Sequence, residues 1–164
     1  MIDEVSDVDK KWMERAIQLA LKAQEMGEVP VGALVVLNNE IIGEGFNQPI
    51  TNHNPAGHAE VLALQQAASF LKNYRTVNTT LYVTLEPCPM CAGLMLHARV
   101  KRLVFGAYDN KSGAAGSVMN LLQHESLNHQ VSITGGVEAR RCGDLLSNFF
   151  KTRRAQKRAI KIAE

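Results

Sequence analysis

The chain has 164 residues, of which 46% are apolar and 21% charged, and this length predicts one domain covering residues 1–164. The acidic start MIDEVSDVDKK lacks the basic and apolar regions of a signal peptide, and no apolar run approaches the roughly 20 residues that span a bilayer. We therefore expect a cytoplasmic protein with no membrane contact. Three cysteines, an odd number, do not indicate a disulfide framework, and a close Cys pair in a reducing compartment favours metal or redox chemistry.

The net charge of +2 at pH 7 is unevenly distributed along the chain. Residues 1–150 contain 12 Lys/Arg and 15 Asp/Glu, whereas residues 151–164 contain six Lys/Arg and one Glu. A basic helix at about 151–162 indicates contact with a polyanion. The alternative is a solvated helix end, whose cations the helix dipole favours.

The hydrophobic pattern predicts strands that alternate with helices. In chain order we expect a helix at 9–26, strands at 31–37 and 41–45 joined by the turn 38–39, a polar loop at 48–57, a helix at 59–71, a strand at 80–85, a helix at 88–98, a strand at 102–107, a Gly-rich loop at 109–117, a short strand at 131–134, and a helix from 137 to about 162 that Gly143 weakens.

These elements predict an α/β protein: a three-layer α/β/α sandwich around a mixed five-stranded sheet. The first two strands should form an antiparallel hairpin, and the unit 80–107 should be a right-handed parallel crossover.

Two of the three cysteines, Cys88 and Cys91, lie three residues apart at the predicted start of a helix. This spacing places both thiols on one face, within reach of a single ion. Pro87 and Pro89 suit a helix entry, and a helix N-terminus stabilises thiolates. A redox dithiol and half of a structural zinc site are the alternatives for the pair alone.

His58 and Glu60 lie two residues apart, so they can face one site only in the first turn of a helix. Together with the cysteines they give the pattern H-x-E, followed after 26 residues by P-C-x-x-C. This pattern is the signature of zinc deaminases. Three protein ligands, His58, Cys88 and Cys91, leave the fourth zinc position open for water, as in catalytic sites. Glu60 would then shuttle protons.

A closed structural zinc site would need a fourth side chain. The candidates are Cys142, His53, His97, His124 and His129. Cys142 is expected to pack as a small buried hydrophobe. Glu60 has no purpose in a closed site, which favours the catalytic interpretation.

With these motifs in place, the whole chain resembles the bacterial tRNA-specific adenosine deaminases, which have a cytidine deaminase-like fold. The segments that carry the resemblance are EVPVGALVV at 28–36, IGEGFN at 42–47, HAEVLAL at 58–64, TLYVTLEPCPMCAG at 80–93 and FGAYDNKSGAAGS at 105–117. The last segment is similar to the tRNA enzymes in particular, whereas other deaminases share the zinc motif.

The resemblance implies hydrolytic deamination of adenosine to inosine at the wobble position of a tRNA anticodon loop, by a homodimer with one Zn²⁺ per subunit. It also implies that Asn47 hydrogen-bonds the target base or its sugar and that Asp109 and Lys111 lie near the RNA backbone. The residues implied for contact with the anticodon loop at the C-terminal end are Phe150, Arg153 and Arg154.

Two other functions remain open at this point. One is deamination of a free nucleoside or base, such as cytidine or guanine, which does not require the basic end. The other is a zinc-stabilised RNA-binding module without catalysis, for which Glu60 would be dispensable.

Overall fold

The structure, a computed structural model, describes residues 6–164; part of the acidic start on which the expectation of no signal peptide rests, residues 1–5, lies outside them. The elements are α1 (Asp7–Glu25), β1 (Gly32–Leu37), β2 (Glu40–Phe46), α2 (Ala59–Leu71), β3 (Thr80–Leu85), α3 (Pro89–Ala98), β4 (Arg102–Ala107), β5 (Ser132–Thr134) and α4 (Ala139–Ala163). None of these helices is both long enough and apolar enough to pass through a bilayer.

The strands form one mixed sheet in the order β2-β1-β3-β4-β5. Strand β1 pairs antiparallel with β2 and β3, whereas β3–β4 and β4–β5 are parallel. Asn38 and Asn39 both have positive φ, as the tight hairpin turn between β1 and β2 requires. The predicted hairpin and the predicted parallel crossover are both confirmed.

Helices cover both faces of the sheet, which confirms the three-layer prediction. One core cluster joins the sheet to α2 and α3, and the other joins it to α1 and α4. On the first face α2 lies very close to β2: a Cβ at Gly43 would lie 2.3 Å from the backbone oxygen of Ala63, and one at Gly45 would lie 2.5 Å from that of Ala59. The absence of side chains at Gly43 and Gly45 therefore allows α2 to pack closely against β2.

A buried carboxylate fastens α1 to the other face of the sheet. Asp9, 2% exposed, accepts hydrogen bonds from Tyr82 Oη at 2.8 Å and from both terminal nitrogens of Arg102 at 2.9 and 2.7 Å. Arg102 also donates to Thr134 Oγ1 at 3.0 Å, so the network joins α1, β3, β4 and β5. Burial alone would raise the pKa of Asp9, but the bonds from Arg102 and Tyr82 hold it below its ordinary value.

The structure differs from the sequence expectations in small ways. Helix α4 begins at Ala139 rather than at 137, because Glu138 adopts a left-handed backbone conformation with φ of 56°. It passes through Gly143 without a break, since the roughly 1 kcal/mol that glycine costs a helix is small beside the packing of neighbouring Cys142 against β4. A short 3₁₀ helix, Leu121–Gln123, was not predicted from the sequence.

Candidate active site

The candidate site lies where two helices begin at the carboxyl end of β3. His58 is the residue that precedes the first turn of α2, and Cys88 is the corresponding residue of α3. Both have extended backbone angles, and Pro89 occupies the first turn of α3, where its missing N–H costs nothing. The two helix starts therefore present their first side chains to the same space.

Three side chains meet there as the sequence predicted. His58 Nδ1 lies 3.5 Å from the Sγ atoms of both Cys88 and Cys91. All three ligand atoms lie within 4.8 Å of one another. Neighbouring ligands of a tetrahedral zinc ion, with Zn–N and Zn–S bonds near 2.05 and 2.3 Å, are about 3.6 Å apart. The donor set and its spacing therefore fit a zinc ion.

The protonation of the three groups is coupled. The hydrogen bond from Cys91 holds the pKa of the Cys88 thiol well below its ordinary value. The hydrogen bond with Cys88 in turn raises the pKa of His58. The site thus favours at least one thiolate, the form of cysteine that binds metal.

Glu60 lies beside this group in the first turn of α2 and is only 4% exposed. Its burial raises the pKa of the carboxyl group, although its own backbone N–H, His58 and the Cys91 thiol favour the ionised form. Because His58 precedes the helix and Glu60 lies in its first turn, the two side chains converge despite being two residues apart.

The side chains considered for a fourth ligand lie elsewhere. Cys142 is buried in the α1–α4 core across the sheet, as predicted. His129 Nε2 bonds the Val100 carbonyl oxygen at 2.8 Å, and His124 Nδ1 accepts a bond from the Ser126 N–H. Within residues 6–164, neither these three nor His53 and His97 join the cluster of His58, Cys88 and Cys91.

The side chains of Asn47 and Asp109 both accept hydrogen bonds from backbone N–H groups, in addition to the roles implied by the resemblance. The Oδ1 atom of Asn47 accepts the N–H of Ala59 at 2.9 Å and so ties the end of β2 to the start of α2. Asp109 Oδ1 accepts the N–H groups of Lys111 and Ser112, at 2.9 and 3.2 Å, within the Gly-rich loop. The side chain of Lys111 is exposed.

At the basic end of the chain, some side chains pack against the rest of the protein and others are exposed. Arg153 donates a hydrogen bond to the Gly27 carbonyl oxygen after α1, and its guanidinium lies 5.2 Å from the centre of the half-buried Phe149 ring. Phe150 is 45% exposed, and Arg154 is exposed beside it. Together with Ile50 they line a shallow groove of about 300 Å³.

Two buried carboxylates near the site were not singled out from the sequence. Glu28 is 1% exposed and accepts the Ile50 and Thr51 N–H groups and the Thr51 hydroxyl, which holds the loop that leads to His58. Glu86 is 2% exposed and bonds the loop 109–117. For Glu86 the available signal was an acidic residue at the end of an apolar strand, directly before Pro87.

Comparisons with known proteins agree with this geometry. Residues 8–154 match the model of the MafB19-like deaminase family. The chain is 50% identical over 157 residues to the tRNA-specific adenosine deaminase of Haemophilus influenzae, covering 95% of this chain and 91% of that one. It is 47% identical over 153 residues to the protein of the same name from Bacillus subtilis, covering 93% and 95%.

A solved structure supports the same relationship. It comes from a study of A-to-I editing by tRNA:A34 deaminases at the wobble position of transfer RNA. Its TM-score is 0.79 at 35% identity, with 83% of this chain and 99% of that chain covered.

The fold is that of a deaminase domain, and His58, Cys88 and Cys91 form a group in it that could hold a metal ion. The chain belongs to the MafB19-like deaminase family. Its relatives of 47–50% identity also show that it belongs to the family of the tRNA-specific adenosine deaminases.

Proposed function

We propose that this chain catalyses the hydrolytic deamination of adenosine to inosine at the wobble position of a tRNA anticodon loop. The observation that carries the proposal is the three-ligand cluster beside buried Glu60, in a chain 50% identical to a tRNA-specific adenosine deaminase over 95% of its length. In the reaction, water adds its oxygen to C6 of adenine and the C6–amine bond breaks, which releases ammonia.

One zinc ion per subunit would be held by His58, Cys88 and Cys91. This donor set fits zinc, and the described part of the chain adds no fourth protein ligand to it. Zinc bound there would lower the pKa of water so that a hydroxide nucleophile is available near neutral pH. The two thiolates would balance the charge of the ion.

Glu60 would move the protons of the reaction. It would accept one from the attacking water, deliver it to the ring nitrogen next to C6, and then assist departure of the amine. Its burial supports this role, because a carboxylate shielded from bulk water exchanges protons with the substrate rather than with solvent. The contact with Cys91, one of the proposed zinc ligands, also supports this role.

The remaining site residues would bind the RNA. Asn47 can offer its amide nitrogen to the base or sugar, since its oxygen is engaged by Ala59. Lys111, Phe150 and Arg154 have exposed side chains, of the kinds that contact phosphates or stack on unpaired bases. The adenosine of an anticodon loop is unpaired, so it can enter the site without opening a duplex.

The homodimer is a prediction from the family resemblance, and the cytoplasmic location is the prediction made from the sequence. Arg153 and Asp109 are also proposed to act at the RNA interface. Their contacts with Gly27 and with the loop backbone support a role in placing neighbouring side chains rather than in direct contact alone.

The test is an inosine assay on an anticodon stem-loop with adenosine at the wobble position. Free adenosine and cytidine are assayed beside it, and Glu60→Gln serves as the inactive control. We expect inosine in the stem-loop only. Turnover of a free nucleoside with a comparable kcat/KM would favour the small-molecule alternative, and absence of any product from zinc-loaded protein would contradict the proposal.

A further inference from the structure

The carboxylate of Glu86 is buried, and both of its oxygens accept hydrogen bonds from the same loop, residues 109–117. Oε1 accepts the N–H of Asp109 at 3.1 Å and the hydroxyl of Ser117, while Oε2 accepts the N–H groups of Ala115 and Ser117 at 3.0 and 3.1 Å. All four donors come from the loop 109–117. Among residues 6–164, no Lys or Arg forms an ion pair with this carboxylate.

A buried carboxylate without a cation is costly unless hydrogen bonds satisfy it. The hydrogen bonds from the loop offset this cost, and they hold the loop close to the carboxylate of Glu86. The closeness shows at Gly113, where a Cβ would lie 2.3 Å from Glu86 Oε2. The loop is also fixed next to the metal-binding helix, because the Ala114 N–H bonds the Pro87 carbonyl oxygen at 2.8 Å.

This arrangement connects Glu86 to a residue that we place at the RNA interface. Glu86 holds the backbone of Asp109, and the carboxylate of Asp109 holds the backbone of Lys111 at 2.9 Å. The position of the Lys111 side chain therefore depends on a carboxylate that is almost entirely buried. Loss of the Glu86 bonds would release the whole segment.

We propose that Glu86 is a positioning residue for substrate binding: it fixes the loop 109–117 beside Pro87 and Cys88 and thereby sets the affinity for RNA rather than the rate of the chemical step. The proposal rests on the proposed function for its substrate. Its structural half, the anchoring of the loop, is independent of that function.

The main variant is Glu86→Gln, which keeps the size of the side chain but replaces one acceptor with a donor that faces N–H groups. We expect the amides of Asp109, Ala115 and Ser117 to exchange hydrogen about tenfold faster or more, measured by NMR. For the stem-loop we expect KM to rise about tenfold while kcat stays within about threefold, since the reacting groups are untouched. Bound zinc should remain at one per chain.

Asp9→Asn is the matched control, because Asp9 is also a buried carboxylate with 2% exposure but lies under α1 across the sheet. It should lower stability without changing KM or the exchange of the loop amides. A merely structural role of Glu86 would make the two variants alike: a lower free energy of unfolding and an unchanged KM. That result would overturn the proposal.

Two other variants test the same contact if Glu86→Gln folds poorly. Ser117→Ala removes one donor and leaves the carboxylate, and Gly113→Ala pushes a methyl group against it. Both should raise KM, and Ser117→Ala should add little to Glu86→Gln because the two changes break the same contact. Unchanged KM and unchanged exchange in both of these variants would overturn the proposal, as would loss of zinc from Glu86→Gln with normal loop exchange.

Failure of the proposed function gives a different result. In that case the unaltered protein forms no inosine, yet the loop amides of Glu86→Gln still exchange faster than those of Asp9→Asn. If the unaltered protein is active and Glu86→Gln has the same KM as the unaltered protein, only the positioning proposal fails.

Discussion

His58 Nδ1 lies 3.5 Å from Cys88 Sγ, although the two residues are 30 positions apart in the chain. They meet because α2 and α3 both begin at the same edge of the sheet, each packed on the same face. The candidate metal site is therefore formed by two helix starts, and the sheet on which both helices pack sets the distance between them.

The first prediction concerns the metal. Cys88→Ala should lose most bound zinc and should unfold at a lower temperature, because metal binding to the folded state contributes to folding free energy. Zinc content by mass spectrometry and thermal unfolding with and without a chelator measure this. Cys142→Ala, a buried thiol across the sheet, is the control and should keep its zinc. Equal zinc in both variants would contradict the ligand assignment.

The second prediction concerns Glu60. Glu60→Gln should keep zinc and RNA affinity but lose about 100- to 10,000-fold in kcat, the range expected for loss of a proton-transferring side chain. Single-turnover kinetics with the stem-loop measure the loss. Glu14→Gln, at a half-exposed carboxylate on α1, should have normal kcat. A Glu60→Gln variant with normal turnover would refute the assigned role.

The third prediction separates two neighbouring arginines. Arg154→Ala should weaken stem-loop binding and reduce the slope of log affinity against log salt by about 1, without changing stability, because the side chain is exposed. Arg153→Ala should also lower the melting temperature, since it loses the bond to Gly27 and the stacking on Phe149. Identical melting temperatures would show that the Gly27 contact contributes nothing.

The fourth prediction concerns pH and stability. The folded-state pKa of Asp9 lies below its ordinary value of 3.8, so its ionised form stabilises the fold above that pH. The contribution is lost as the pH falls through the lower, folded-state pKa. Asp9→Asn should therefore cost about 2 kcal/mol at pH 7, the order expected for hydrogen bonds to a charged group whose partner Arg102 is partly exposed. The deficit should shrink below pH 3.8.

Urea unfolding of both proteins at neutral and acidic pH measures this difference. Arg102→Gln, which leaves Asp9 without its cation, should show a deficit with the same pH dependence. A deficit that is equal at both pH values would mean that the charge of Asp9 does not stabilise the fold.

Much of the fold follows from local sequence patterns. The bounds of α2, β3 and β4 agree with the prediction residue for residue, because their apolar periodicity is strong and Gly, Pro or polar residues flank them. The 3₁₀ helix Leu121–Gln123 could not be predicted in this way, since three residues carry no periodicity and its Leu122 is buried by contacts distant in the chain. The continuity of α4 through Gly143 likewise depends on packing.

By itself the sequence determined the chemistry available here: two thiols one helical turn apart, a histidine and a glutamate at the start of another helix, and a basic end. Spacing along one element is local, so it could be interpreted without a structure. The tertiary structure decided which of these groups meet and which way they face. It turned Arg153 toward Gly27 while Arg154 stayed exposed, and it closed the Gly-rich loop around Glu86. The physical reason is that a buried charge must be hydrogen-bonded, and its donors can come from residues that are distant in the sequence and meet only in the folded structure.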